Sequence, residues 1–199
     1  MPSKRYLQMR MELKRLNSAL LPRLKKGQVL DLTPRLSLRA LAYRVLSHAE
    51  IENYIEDRAA DIAIAADKAW KSRRHVSETT LCLLAFSGIS LNKLPATLRA
   101  PANRKQTDWM ALVKPDDRLS NAVTTFIKRV RQENHGIKEE NLLSLLLPIG
   151  FPSDDFDELL IADLNDFGSK RGTAAHVSVA GHVTAGVNPL DEAAQVKRI

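Results

Sequence analysis

From Pro34 to Arg74 the sequence contains no glycine and no further proline. Leu38, Leu41, Val45, Ala49, Ile55, Ala59, Ile62, Ala66 and Trp70 recur through it at helical spacing. Nothing in the stretch punctuates a helix, so the pattern predicts one long helix rather than two with a tight junction. Thr33-Pro34 supplies the start. Threonine offers a side-chain oxygen to the first unbonded N–H groups, and proline at the first helical position lacks only an N–H that would have no partner there. A helix of that length commits the rest of the chain to packing along it.

The remaining segments read the same way. Tyr6, Met9, Leu13, Leu16, Leu20 and Leu24, at steps of three and four, predict an amphipathic first helix that ends near Pro22, with Gly27 as its C-terminal signal. Further helices are expected over Ser77–Phe86, stopping around Gly88, and over Asp116–Asn134, after Pro115 and before His135-Gly136. A short one lies in "KEENLLSLLL", ended by Pro148 and Gly150. The next starts near Ser153 and uses Phe156, Leu159, Leu160, Leu164 and Phe167; Gly168 and Gly172, each costing about 1 kcal/mol relative to alanine, are expected to weaken its end. Asn188-Pro189 opens a last helix that looks cut short at Ile199. Residues 92–108 form a long polar connection, and "VSVAGHVTAGV" fits a loop or extended chain. With aromatic residues scarce and a hydrophobic share of 44%, the expectation is an all-α, bundle-like fold with a real core. Residues 1–30 form a basic amphipathic helix and linker, and residues 31–199 the main helical domain.

Charge is concentrated at one end. Residues 1–26 hold eight basic groups against Glu12 alone, which accounts for the whole net charge of +7. Such a segment attracts a phosphate backbone or an acidic partner at long range, although a solvated helix face explains it equally well. The N-terminus has no apolar signal region and no run spans a bilayer, so the expected setting is cytoplasmic, away from membranes. Cys82 is the only cysteine and excludes an internal disulfide. No phosphate-binding glycine loop, dinucleotide fingerprint or nucleophile elbow occurs, and the five histidines form no ligand cluster, so no metal and no cofactor are expected. The acids at Asp154, Asp155, Asp157 and Glu158 suit a helix N-terminus.

"SKRGTAAH", at residues 169–176, carries the remaining chemistry. An arginine holds phosphate through two parallel donors and stays charged at any working pH. A histidine can take a proton and return it. Together, Arg171 and His176 would cleave RNA without metal: a base removes the ribose 2′-hydroxyl proton, the oxygen attacks phosphorus, and the guanidinium stabilises the phosphoryl charge. On an ideal helix five residues separate the two positions by about 140° beyond a full turn, so one face holds both only where the helix is irregular or the arginine folds around. Gly172 would supply that freedom.

"NHGIKEENLLSLLLPIGFPSDDFDELLIADLNDFGSKRGTAAH" resembles the C-terminal half of HEPN domains, in which a short helix, a glycine break and a longer helix lead to an Arg-x4–6-His motif. "AEIENYIEDRA" is similar to that family's earlier helix, and the whole looks most like the RiboL-PSP-HEPN subgroup over roughly residues 35–199. The resemblance implies a helical homodimer that joins two motifs in one cleft, and metal-independent endoribonuclease activity in toxin–antitoxin or phage-defence systems, with an antitoxin or defence protein as partner. It makes Arg171 the phosphate-binding residue, His176 the acid–base residue and Glu52 a polar partner from the long helix. Lys170, Arg10, Lys14 and Arg15 are the expected RNA-binding cations. Where the family usually has a polar residue after the arginine, this chain has Gly172. That departure favours the alternative, a non-catalytic module that binds RNA or a partner protein. The plainest alternative is an all-α scaffold with Arg171 and His176 on its surface.

Overall fold

The computed structural model describes residues 2–23, 30–88, 114–176 and 186–199, without the side chains of residues 153, 175 and 176. The expected stop at Gly27, the connection over 92–108 and most of "VSVAGHVTAGV" lie outside the described residues. Those residues form seven α-helices and no strand: α1 Lys4–Leu20, α2 Pro34–Arg73, α3 Glu78–Phe86, α4 Pro115–Lys128, α5 Glu139–Leu146, α6 Glu158–His176 and α7 Pro189–Arg198. The fold is all-α.

Local chemistry sets most of the boundaries. The long glycine-free stretch is a single helix of 40 residues, and the Leu36 N–H donates to Thr33 Oγ1 at 3.2 Å. It ends where Arg74 takes a left-handed φ of 53°. Ser77 accepts from the Thr80 N–H at 3.2 Å and Asn188 from the Leu190 N–H at 3.0 Å, capping α3 and α7 as expected. Helix α6 starts later than the acidic run suggested. A 3₁₀ turn occupies Ser153–Asp155, and Asp157 caps the helix by accepting from the Leu159 N–H at 2.9 Å.

The described residues fall into two compact units, one drawn from 1–55, 135–142 and 156–199, the other from 56–134 and 143–155. Helix α2 contributes its first part to one and the remainder to the other. In the second unit Ala59, Ala63 and Ala66 of α2 are buried, as are Leu83, Leu119, Phe126 and Ile149. Helix α4 continues there as a π-helical turn, Arg129–Glu133, with the Asn134 N–H donating to the Arg129 carbonyl at 3.0 Å. Gly150, at φ 85°, ends the 3₁₀ turn that follows α5.

In the first unit the buried face of α2 differs from the expected stripe. Leu38 and Val45 are 45% and 38% exposed, whereas Ser37, Arg44, Ser47 and His48 are buried beside Ala40, Leu41, Tyr43 and Ile51. Apolar spacing cannot anticipate a buried face that carries an arginine, because that arginine is acceptable only with an anion from elsewhere in the chain. The weakening expected at Gly168 and Gly172 is also absent: α6 runs unbroken to His176. At Gly168 the missing side chain makes room, since a Cβ would come within 2.9 Å of Lys138 Cγ. At Gly172 a Cβ would meet nothing within 4 Å.

Candidate functional site

Of the site residues expected from the sequence, Lys170, Arg171 and His176 fall on α6, Glu52 on α2, and Arg10, Lys14 and Arg15 on α1; Leu164 and Phe167 of α6 are buried in the first unit. Near the middle of α6, Asn165 Oδ1 accepts the Glu139 N–H at 2.8 Å, tying the helix to the start of α5. Beside α6 lies a polar junction. Arg44 of α2 donates to both carboxylate oxygens of Glu192 of α7, from Nε at 2.8 Å and from Nη2 at 2.6 Å. Both residues are buried. A bidentate pair of this kind needs the planar guanidinium and would not be reproduced by lysine. Arg44 Nη1 also reaches the Lys170 carbonyl oxygen at 3.5 Å.

Around that pair the charges of α6 and α7 compensate one another. Lys170 Nζ donates to Asp166 at 2.6 Å and to Gln195 at 3.1 Å, and Gln195 returns a bond to Asp166 at 2.6 Å. Arg198 grips Asp163 through Nε at 2.9 Å and Nη2 at 2.8 Å. The Lys170 bond, with Gln195 adding to it, holds the Asp166 carboxyl below its ordinary range; the Arg198 bond does the same for Asp163. Arg171 is different. It is half-buried, yet among the described residues it donates to no carboxylate and to no carbonyl.

His176 is the last residue of α6, and its side chain lies outside the described residues. Because the helix is regular through the motif, positions 171 and 176 are about 140° apart around its axis. The irregularity that would align them within one chain is not there. Glu52 is placed beside His48, Oε2 to Nδ1 at 3.5 Å, rather than in hydrogen-bond range of Arg171. His48, 1% exposed, packs against the Phe167 ring with centroids 5.8 Å apart, and neither of its nitrogens makes a hydrogen bond among the described residues. It is a core residue, as its place inside a helix suggests.

The expected RNA-binding cations separate into three environments. Lys170 is neutralised by Asp166, and Arg15 pairs with Glu12 at 2.8 Å on the surface. Arg10 and Lys14 instead line a groove of about 710 Å³ between α1, α2 and α7, together with Lys197. Leu7 and Met11 of the same groove were not legible as site residues because they fall off the apolar stripe expected of α1, and Lys197 because it lies on α7, near the other end of the sequence. The Arg44–Glu192 pair was missed for a different reason. Its members stand 148 residues apart, and no local pattern links them.

No group of three or more His, Cys, Asp or Glu side chains that could hold a metal occurs among the described residues. No described helix is long and apolar enough to cross a membrane. No protein-family model, curated protein or solved structure matches the chain.

Proposed function

We propose that the chain is an RNA endonuclease of the HEPN type, acting as a homodimer. The observation that supports this most is Arg171. Its neighbours Arg44, Lys170 and Arg198 all have anionic partners, while its own half-buried guanidinium has none among the described residues. A cation kept partly out of water without a partner is ready to donate hydrogen bonds to a phosphate. The proposed chemistry needs only the chain's own groups. A base, assigned to His176, takes the 2′-hydroxyl proton; the O2′–P bond forms as the P–O5′ bond breaks; and the leaving 5′ oxygen picks up a proton. The products are a 2′,3′-cyclic phosphate and a 5′-hydroxyl, with Arg171 stabilising the charge on the phosphoryl oxygens.

The regular helix makes a specific demand on this reading. With positions 171 and 176 facing different ways on α6, the arginine of one protomer and the histidine of its partner would share a phosphate. The exposed apolar residues Leu38, Val45 and Leu46 of α2 offer a surface for such a partner. The test is cleavage of single-stranded RNA in EDTA by Arg171→Ala, by His176→Ala and by a subunit-exchanged mixture of the two. Each variant alone should be inactive, and the mixture should recover activity, since its heterodimers hold one intact pair. Cleavage by either single variant at the wild-type rate, or only with added divalent metal, overturns the proposal.

A second reading is a module that binds RNA without cutting it, with Arg171 holding phosphate. It is favoured by the same divergence of positions 171 and 176 and by Gly172, which puts no polar group beside the arginine. RNA binding that depends on Arg171, with no cleavage by the wild-type chain, would decide for it.

A further inference from the structure

The groove between α1, α2 and α7 is separate from the end of α6 and is built like a helix receptor. Leu7 and Met11 stand one turn apart on α1 and are both exposed. Arg10 and Lys14, also one turn apart, run alongside them, and Lys197 of α7 adds a third cation. None of these three cations has an anionic partner among the described residues, and no carboxylate is among the described residues that line the groove. Ala193 and Ala194 form part of the wall contributed by α7, so a backbone can approach closely. The result is an apolar trough in water with an uncompensated positive rim.

We infer that this groove docks an amphipathic α-helix of a partner protein, with aliphatic residues on its inner face and Asp or Glu along its flanks. Charge complementarity selects the acidic flanks. The spacing selects a helix: the apolar and basic pairs of α1 repeat at i, i+4, the interval at which a second helix presents its own side chains. From Leu7 to Asn17 the α1 wall extends about 15 Å, which matches about three turns of the occupant. Single-stranded RNA is the competing occupant, and the floor argues against it. Sequence-tolerant RNA grooves stack bases on exposed aromatic faces, whereas the one aromatic among the described residues that line this groove, Tyr43, is 2% exposed.

The test is selection from a displayed library of helical peptides of about fifteen residues against the full chain. It is followed by fluorescence anisotropy with the selected peptides and with a labelled oligouridine. Selected peptides should carry leucine or isoleucine at i, i+3/i+4 and i+7 with acidic flanks. Met11→Asp, and separately Lys14→Glu with Lys197→Glu, should each weaken their binding by at least about tenfold. Both variants change exposed residues, and an unaltered helical circular dichroism spectrum will verify that they fold. Selection of no peptide, selection of basic peptides, or acidic peptides that bind the variants as tightly as wild type overturns the inference. So does oligouridine binding that is lost in the Lys14/Lys197 variant while peptide binding persists. The Arg171→Ala chain should bind the peptides normally, which separates this groove from the proposed cleavage site.

Discussion

The junction of α2 with α7 and the last turns of α6 lie in one unit and treat a guanidinium in opposite ways. At the junction Arg44 is buried, and both oxygens of Glu192 meet it. On α6 Arg171 is half-buried with no anion beside it among the described residues. A buried charge that lost its partner would be very costly, so Arg44 and Glu192 are committed to each other and to holding α2 against α7. Arg171 carries no such commitment. The difference is between a charge spent on architecture and one left available to a ligand.

Removing the two arginines gives the largest effect and the sharpest test of that contrast. Arg44→Ala strands the Glu192 carboxylate and should lower the unfolding free energy by about 3–5 kcal/mol, measured by urea denaturation. Arg171→Ala should change stability by less than about 0.5 kcal/mol while abolishing the proposed RNA cleavage. Comparable losses of stability in the two variants would erase the distinction. Replacing Arg44 and Glu192 together by Met and Leu should restore most of the loss, because no charge is then left alone.

Two glycines on α6 sharpen the picture at a smaller scale. Gly172→Ala places its methyl in open space and should stabilise the chain by about 1 kcal/mol, raising the thermal midpoint. Gly168→Ala should forfeit that gain, because its Cβ would lie 2.9 Å from Lys138 Cγ. An equal gain at both positions would show that Gly168 is not required for close packing. The proposed cleavage should survive Gly172→Ala, because the change leaves the regular α6 intact.

The smallest effect concerns pH. Asp163 and Asp166 have folded-state values depressed by Arg198 and Lys170. A depressed carboxylate contributes stability above its ordinary value of 3.8 and loses it as pH falls through the lower folded value. Stability should therefore decline on acidification below about pH 4, and Asp163→Asn should make that decline shallower. The check is urea unfolding at neutral pH and at about pH 3. An Asp163→Asn chain with an unchanged acid profile would remove the Arg198 bond from the account. Asp116, held by Arg74 and Trp70 in the other unit, shifts in the same direction and sets the background.

Much of the fold was legible because helix signals are local. Thr33-Pro34, Ser77 and Asn188-Pro189 each act on N–H groups within three residues, and the glycine-free run offers no place for α2 to stop. The site was less legible. Leu38 and Val45, two members of the expected apolar stripe, are 45% and 38% exposed, whereas Leu41 of the same stripe is buried and Arg44 is buried against Glu192 of α7. Arg10 and Lys14 were recognised as cations, while their meeting with Lys197 over an aliphatic floor required helices from both ends of the chain. The change from α to π at Arg129 has no counterpart in residue type.

By itself, then, the sequence determined an all-α fold, where most of the described helices begin and end, and that the excess positive charge belongs to the N-terminal segment. Those properties depend on neighbours a turn away. The tertiary structure decided which face of α2 is buried, which arginine is neutralised and which has no partner among the described residues, and that a cation-rimmed groove exists. Each of these depends on side chains brought together from distant parts of the chain, and burial makes an unpaired charge too costly to ignore.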